Sequence, residues 1–218
     1  AVKLDQAGWY YCVDDRNLVG EAEEKFVCDT VSGGGDWEQF NYPERPAFSM
    51  ETKRLWLKTN LPRENIQDAS LFLQTTNQSF AVWLDGHIIY KYGDLQERMG
   101  SYGRSWHIIM LPSNYAGRQL LIHTYSDNWF NLGNFSSLQL DSNVNQMSRL
   151  LRQDLPYIAN IPLVIFMITL MMLYFTSPAA PKCLYISVIV FMLEFLVWMI
   201  CASNSKQLLI NSPVLWWF

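Results

Sequence analysis

The chain has 218 residues, half of them hydrophobic, and a formal net charge of −4. That length accommodates one soluble domain of about 150 residues plus a further part. The mildly acidic balance, without a basic stripe, argues against nucleic acid or anionic lipid headgroups as partners. All but two of the Lys and Arg residues and all but one of the Asp and Glu residues lie upstream of residue 155, so the chain changes solvent there.

Residues 1–50 read as irregular and turn-rich. Gly33-Gly34-Gly35-Asp36 is a flexible turn, and Tyr42-Pro43-Glu44-Arg45-Pro46 is a proline-braced connector. From Arg54 the hydrophobic period becomes 2. Leu55, Leu57 and Thr59 share one face of a predicted strand, with Trp56 and Lys58 on the other. Leu71 and Leu73 alternate with Phe72 and Gln74, and Phe80, Val82 and Leu84 with Ala81 and Trp83. Asp85-Gly86 then sits between two apolar runs, the strongest short hairpin signal, and His87 to Tyr92 is the return strand. Trp106 to Leu111 is a strand closed by Pro112; Gln119 to Tyr125 and Leu138 to Leu140 follow. Many short strands with Gly, Pro and Asn turns, and no βαβ rhythm, predict an all-β jelly roll or β sandwich.

Ser142 to Asp154 is a joint. Met147, Leu150 and Leu151 give it the pattern of a short amphipathic helix, and a plain linker is the alternative. Leu155 to Phe175 carries no charge, Leu184 to Ala202 carries only Glu194, and a third apolar run begins at Pro213. Runs of about 20 apolar residues match a hydrocarbon core of roughly 30 Å. The predicted organisation is therefore a β domain over 1–141, a joint over 142–154 and transmembrane α-helices over 155–218. Pro156 is tolerated near a helix start, whereas Pro162 is a candidate kink. Arg149 and Arg152 ahead of the first span, with only Lys182 after it, would by themselves put the β domain inside the cytoplasm. The chain begins without Met and stops inside an apolar run, which predicts a piece of a longer protein, with a signal peptide removed ahead of Ala1 as one explanation.

The sequence lacks a G-x-S-x-G elbow, a phosphate-binding G-x-x-x-x-G-K-[ST] and an H-E-x-x-H. His107 and His123 lie on predicted strands and could meet at a metal, but neither has a Cys or carboxylate beside it at ligand spacing. No carboxylate pair stands out for glycoside hydrolysis. Neither catalytic residues nor a metal or other cofactor are expected.

The aromatics are more telling. Trp56 and Trp83 fit a core role. Trp106 follows the predicted loop Tyr102-Gly103-Arg104-Ser105, and Trp129 lies in the loop Ser126-Asp127-Asn128-Trp129-Phe130-Asn131. Arg104 could pair with a carboxylate, while Asp127 and Asn128 could hydrogen-bond hydroxyls or serve as ordinary turn residues. The candidate ligand site is thus Arg104, Trp106, Asp127, Asn128 and Trp129, for a small polar ligand such as a sugar or carboxylate. Cys12 and Cys28 form a disulfide in an oxidising compartment, or else remain two buried thiols. Glu194 is the one ionisable residue inside a span, and faces a bundle interior or is kept neutral in packing.

Several segments are similar to a known bacterial module. Lys3 to Trp9 resembles its opening strand, and Phe80 to Tyr90, with Leu84-Asp85-Gly86, resembles its hairpin. Trp106 to Pro112 with Asn114-Tyr115-Ala116-Gly117-Arg118, and Tyr125-Ser126-Asp127 with Asn131-Leu132-Gly133, complete the set. Together they resemble the extracytoplasmic galactose-binding-like domain of bacterial seven-transmembrane receptors with diverse intracellular signalling modules. The resemblance implies an inner-membrane sensor with residues 1–154 outside the cytoplasm, against the weak charge bias. It also implies an output module beyond the membrane, such as a diguanylate cyclase, histidine kinase or phosphatase. Ligand binding would favour one conformation or one homodimer arrangement. A membrane-tethered carbohydrate-binding module without signalling output, and a transporter subunit, are the alternatives.

Overall fold

A computed structural model describes residues 2–4, 8–14, 36–95, 103–175, 182–204 and 206–209. It divides into two compact units, one ending at Gln146 and the other beginning at Met147.

The first unit is a β sandwich. Its strands are β1 (Val2–Lys3), β2 (Trp9–Val13), β3 (Glu38–Phe40), β4 (Arg54–Asn60), β5 (Ala69–Thr76), β6 (Ser79–Leu84), β7 (His87–Tyr92), β8 (Arg104–Met110), β9 (Gln119–Tyr125) and β10 (Ser137–Ser142). A four-stranded sheet runs β1-β10-β5-β8 and a six-stranded sheet runs β3-β2-β4-β9-β6-β7. All pairings are antiparallel. From β4 onward the chain crosses between sheets repeatedly, so each sheet collects strands distant in sequence.

Alternation decides which side chains enter the core. Leu55, Leu57, Phe80, Val82, Leu120 and Ile122 come from one sheet and Leu71, Leu73, Ile109, Leu138 and Leu140 from the other, all within one buried cluster. The Asp85-Gly86 turn has positive φ at both residues, 48° and 81°, which suits the right-handed twist of a tight hairpin. The outer face of the six-stranded sheet is also dry. Cys12, Trp56, Ala81, Trp83, Leu121 and Tyr125 form a second buried cluster there, with Trp37 against it.

Two sequence expectations need correction. The first 50 residues are not uniformly irregular: Trp9–Val13 is a strand that pairs with β4, and Glu38–Phe40 pairs with its other side. Trp9, Tyr11 and Cys12 are buried and Tyr10 between them is exposed, but all four are apolar or aromatic, so the sequence lacks the alternation that would announce the strand. Arg104 does not sit on a loop, because β8 begins there and Arg104 pairs with Thr76, whereas Trp106 lies on the strand that the sequence predicts from it.

β10 passes into helix α1 (Asn143–Phe175) with no residue between them. The Ser142 hydroxyl accepts the Asn145 N–H at 3.3 Å, the bond expected of an N-cap. The Asn143 N–H donates to the Asp68 carbonyl at 3.0 Å, and the Asn145 side chain donates to Asp141 at 2.9 Å.

In the second unit α1 packs antiparallel to α2 (Lys182–Ala202); a short α3 (Lys206–Leu209) follows. Tyr157 meets Trp198 with ring centroids 6.4 Å apart, and Tyr174 meets Tyr185 at 5.3 Å. The Asp154 carboxylate accepts both the backbone and side-chain N–H of Asn204, at 2.8 and 3.0 Å. Pro156 and Pro162 lie inside α1, and the Asn160 amide donates to the Pro156 carbonyl at 2.7 Å. Thr169 and Ser187 turn their hydroxyls back onto their own helices. Asn143–Tyr174 and Tyr185–Ala202 are long and apolar enough to cross a membrane. Glu194 lies on the exposed surface of α2 among the described residues. The third apolar run lies outside the described residues, as does Cys28.

Candidate functional site

The turn between β5 and β6 draws two loops to one end of the sandwich. Asn77 takes a left-handed conformation there, which Asn tolerates better than most residues. Its side chain accepts the Gly103 N–H, its N–H donates to the Gly103 carbonyl, and its carbonyl accepts the Ser126 hydroxyl, all at 2.8–2.9 Å. The segments carrying Arg104 and Asp127 therefore share one anchor.

The five candidate residues go to different partners from that anchor. Arg104 donates to the Gln74 side chain at 3.1 Å, on the outer face of the four-stranded sheet. Trp106 is half-buried on the same face, paired in register with Gln74. Asp127 receives the Tyr125 hydroxyl at 2.9 Å and the Lys53 ammonium at 3.3 Å. Asn128 accepts the Phe130 N–H at 2.9 Å, which is turn chemistry and leaves its Nδ2 as a donor. Trp129 is 38% exposed and packs edge-to-face with Phe130, centroids 6.0 Å apart.

Arg45 is the residue that sequence reasoning missed. Its guanidinium lies 5.0 Å from the Trp129 ring centroid, 5.1 Å from Phe130 and 5.6 Å from Phe48. Its Nη2 also donates to the Trp129 carbonyl. The Nε is buried and without a hydrogen-bond partner among the described residues. The sequence signal was the connector Tyr42 to Pro46, but nothing local linked it to a loop 84 residues on.

The loop is held from beneath by a buried amide. The Gln78 Oε1 accepts the Thr124 hydroxyl at 3.2 Å and the Gly133 N–H at 3.1 Å, while its Nε2 donates to the Asn134 carbonyl at 2.9 Å. Tyr42 adds a bond to the Phe135 carbonyl at 2.6 Å. Trp129 and Phe130 are thus presented by a tethered loop, an economical arrangement for binding.

The two strand histidines do not meet. His107 points into the sandwich, edge-on to Phe80 with centroids 4.9 Å apart. Its ring nitrogens bond the Tyr90 and Ser105 hydroxyls, each at 2.9 Å, and Ser105 continues to Thr75 at 3.1 Å. Burial pushes the imidazole down from the ordinary histidine range to about 3. A Ser–His pair is the geometry of a nucleophile and its base. Here both side chains are closed off from solvent. His123 faces the opposite side of its sheet, stacked on Trp56 at 4.1 Å, with its Nε2 3.3 Å from the Asp14 carboxylate. Among the described residues no three His, Cys, Asp or Glu side chains group as a metal site.

No protein-family model matches the chain, and no curated protein matches it in sequence. Among solved structures it is similar to a Ruminococcus gnavus beta-glucuronidase, at 14% identity over 57% of this chain and 21% of that one, with a TM-score of 0.40. It is also similar to a Faecalibacterium prausnitzii beta-glucuronidase at 14% identity, 57% and 21% coverage and TM-score 0.37. A GH2 beta-galacturonidase from Eisenbergiella tayi shows 11% identity, 56% and 18% coverage and TM-score 0.32. The chain spans about a fifth of the length of these proteins, and likeness of that depth identifies neither a family nor an activity.

Proposed function

We propose that the sandwich is a binding module for a small polar ligand, a carbohydrate by preference, tethered to a membrane by α1 and α2. The observation that carries this reading is the Trp129 ring: Arg45 lies over it, yet it stays 38% exposed. A sugar presents C–H faces that stack on such a ring and hydroxyls that need donors and acceptors around it. Asp127, Asn128 and Lys53 supply those groups beside it. Arg104 and Trp106 form a second, adjacent part of the same end through Asn77. No catalytic group is assigned. Residues 1–154 lie outside the cytoplasm in this reading, where free saccharides and a Cys12–Cys28 disulfide both belong.

A saccharide panel titrated against the chain in lipid nanodiscs tests the proposal. Trp129→Ala should weaken binding by on the order of 1–3 kcal/mol, the scale of a lost aromatic platform. A panel without any binder, or binding indifferent to Trp129→Ala, overturns it. Orientation is tested separately by a membrane-impermeant thiol reagent against one surface cysteine placed in the sandwich, with the native cysteines replaced. Labelling only after lysis inverts the topology.

One observation favours a second reading, the sensor. β10 is held in register by β1 and β5 and enters α1 directly, so a change in the sheet reaches the helix start without a flexible linker. In that reading Glu194 and the membrane helices carry the signal towards an output module such as a cyclase or kinase, with a homodimer as the working unit. Ligand-dependent hydrogen exchange at residues 143–146 separates the two readings, because a tether alone has no reason to respond.

A further inference from the structure

At the end of the sandwich away from Asn77, where β5 begins and β8 ends, the surface folds into a cleft of about 380 Å³. That is within the range of small-molecule sites, roughly 300–1,000 Å³. Ile66, Met110 and Pro112 give it apolar walls, and Asn65, Asp68 and Ser113 a polar rim. Among the described residues no Lys or Arg lines it, and Asp68 is its one charged group.

The walls are set before any ligand arrives. Tyr115 is fully buried, and its hydroxyl donates to the Glu64 carbonyl and accepts the Ile66 N–H, both at 2.8 Å. The Leu111 N–H donates to the Ala69 carbonyl at 3.0 Å, joining the two sides. Asp68 is in the left-handed region, φ 50°, with its carbonyl taken by the Asn143 N–H at 3.0 Å. The backbone of Asp68 is thus committed to the start of α1. Its carboxylate is exposed, with no ion-pair partner among the described residues.

We propose that this cleft binds a small organic cation of the alkylammonium class, with Asp68 as its counter-ion. A lone carboxylate at the rim rejects anions and favours a positive charge. The apolar walls accept an alkyl body, and Met110, 53% exposed and unbranched, adapts to its shape. Because Asp68 also holds the first N–H of α1, an occupant fixes the helix start as well as the cleft. The site is separate from the Trp129 end and does not depend on it.

The test uses the whole chain in a nonionic detergent with ¹³C-methyl methionine, the Met110 resonance being assigned by Met110→Leu. Choline is the probe, and 3,3-dimethyl-1-butanol is its uncharged counterpart. Choline should shift the Met110 methyl saturably, and the alcohol should bind about tenfold more weakly or worse. Asp68→Asn removes the charge but keeps a residue tolerant of positive φ and the carbonyl that Asn143 needs. It should weaken choline by a similar factor, whereas Trp129→Ala should leave choline unchanged. An unshifted Met110 methyl, or equal binding of choline and the alcohol, overturns the proposal. So does choline binding that survives Asp68→Asn. Saccharide binding at Trp129 is read in a separate titration, so the failure of one site does not mimic failure of the other.

Discussion

The Tyr90 hydroxyl lies 2.9 Å from the Nδ1 of His107, and this contact joins the two sheets at one margin of the sandwich. Tyr90 is on β7, the edge of the six-stranded sheet, and His107 is on β8, the edge of the four-stranded sheet. Both bonds of the imidazole go to hydroxyls, which can donate or accept, so the neutral ring is satisfied in either tautomer.

A pH dependence follows with a definite sign. The folded His107 holds its proton only below about 3, whereas the unfolded chain takes it up near the ordinary value of 6.5. Its contribution is therefore fully present above 6.5 and is lost as pH falls from 6.5 towards 3. One proton of difference is worth about 1.4 kcal/mol per pH unit, so lowering the pH from 7 to 5 should cost about 2 kcal/mol. Guanidinium unfolding of the chain at the two pH values, followed by tryptophan fluorescence, should show this loss. His107→Gln should show much less of it. Equal slopes in the two proteins would assign the pH effect elsewhere.

Trp129 and Trp56 should respond to truncation by very different amounts. Trp129→Ala removes an exposed ring and its cation–π contact with Arg45, costing about 0.5–1 kcal/mol of stability. Trp56 is fully buried, stacks on His123 and donates to Asp14 at 3.2 Å. Trp56→Ala should cost about 3–5 kcal/mol. Denaturation midpoints of the two variants check the contrast, and a large loss in Trp129→Ala would mark that residue as packing.

Gly133 is the glycine that the binding loop cannot exchange. Its φ is +68°, and a Cβ there would stand 2.7 Å from the Leu55 Cδ2. Gly133→Ala should destabilise by about 1–2 kcal/mol from backbone strain, with further loss from displacing Leu55. Because Gly133 is tied to Gln78 beneath the Trp129 loop, ligand affinity should fall with it. A thermal scan of the variant that matched the parent would show that the loop has room the structure does not give it.

Asp154 fastens the end of the helical pair. Asp154→Ala removes the acceptor of two Asn204 donors, a cost of about 1 kcal/mol because Asn204 is only half-buried and water can replace part of the bond. Hydrogen exchange at the Asn204 amide in nanodiscs should accelerate in Asp154→Ala and much less in Asp154→Asn, which keeps an acceptor oxygen. Unchanged protection in both would show that the clasp is not what orders this turn.

Cys12 is buried on the outer face of β2, beside Trp56 and Trp83. A bridge to Cys28 would close a loop of about 16 residues, worth roughly 3 kcal/mol in the chain-entropy view. Peptide mapping without reductant, on protein from its native compartment, should recover the linked peptides. Two alkylatable thiols would remove both the bridge and the support it lends to an extracytoplasmic location.

The legible strands are those whose sequence alternates, as at Leu55 to Thr59, or that flank a diagnostic turn, even where both faces are buried. β4 alternates, β9 was bounded by Gln119 and Tyr125, and Asp85-Gly86 pinned the β6–β7 hairpin. β2 is hidden because its exposed Tyr10 is as aromatic as the buried Trp9 and Tyr11 beside it, so the sequence shows no period of 2. β8 was placed two residues late because Arg104, at its start, is exposed and polar. The Asp127–Trp129 loop could be found locally, but its partners could not. Lys53 and Arg45 reach it from distant segments, and no local pattern encodes a cation over a ring.

The prolines of α1 have a consequence for its neighbours. Pro162 has no N–H to offer the Ile158 carbonyl one turn back. In water that oxygen would simply be hydrated, but in hydrocarbon an unmet acceptor costs several kcal/mol. The Asn160 side chain donates to the Pro156 carbonyl, not to that of Ile158, so it does not make good the missing bond. Were α1 to cross a membrane, the Ile158 oxygen would mark the depth at which it takes a hydroxyl, an amide or a water, and at which a neighbouring segment would gain from a polar residue.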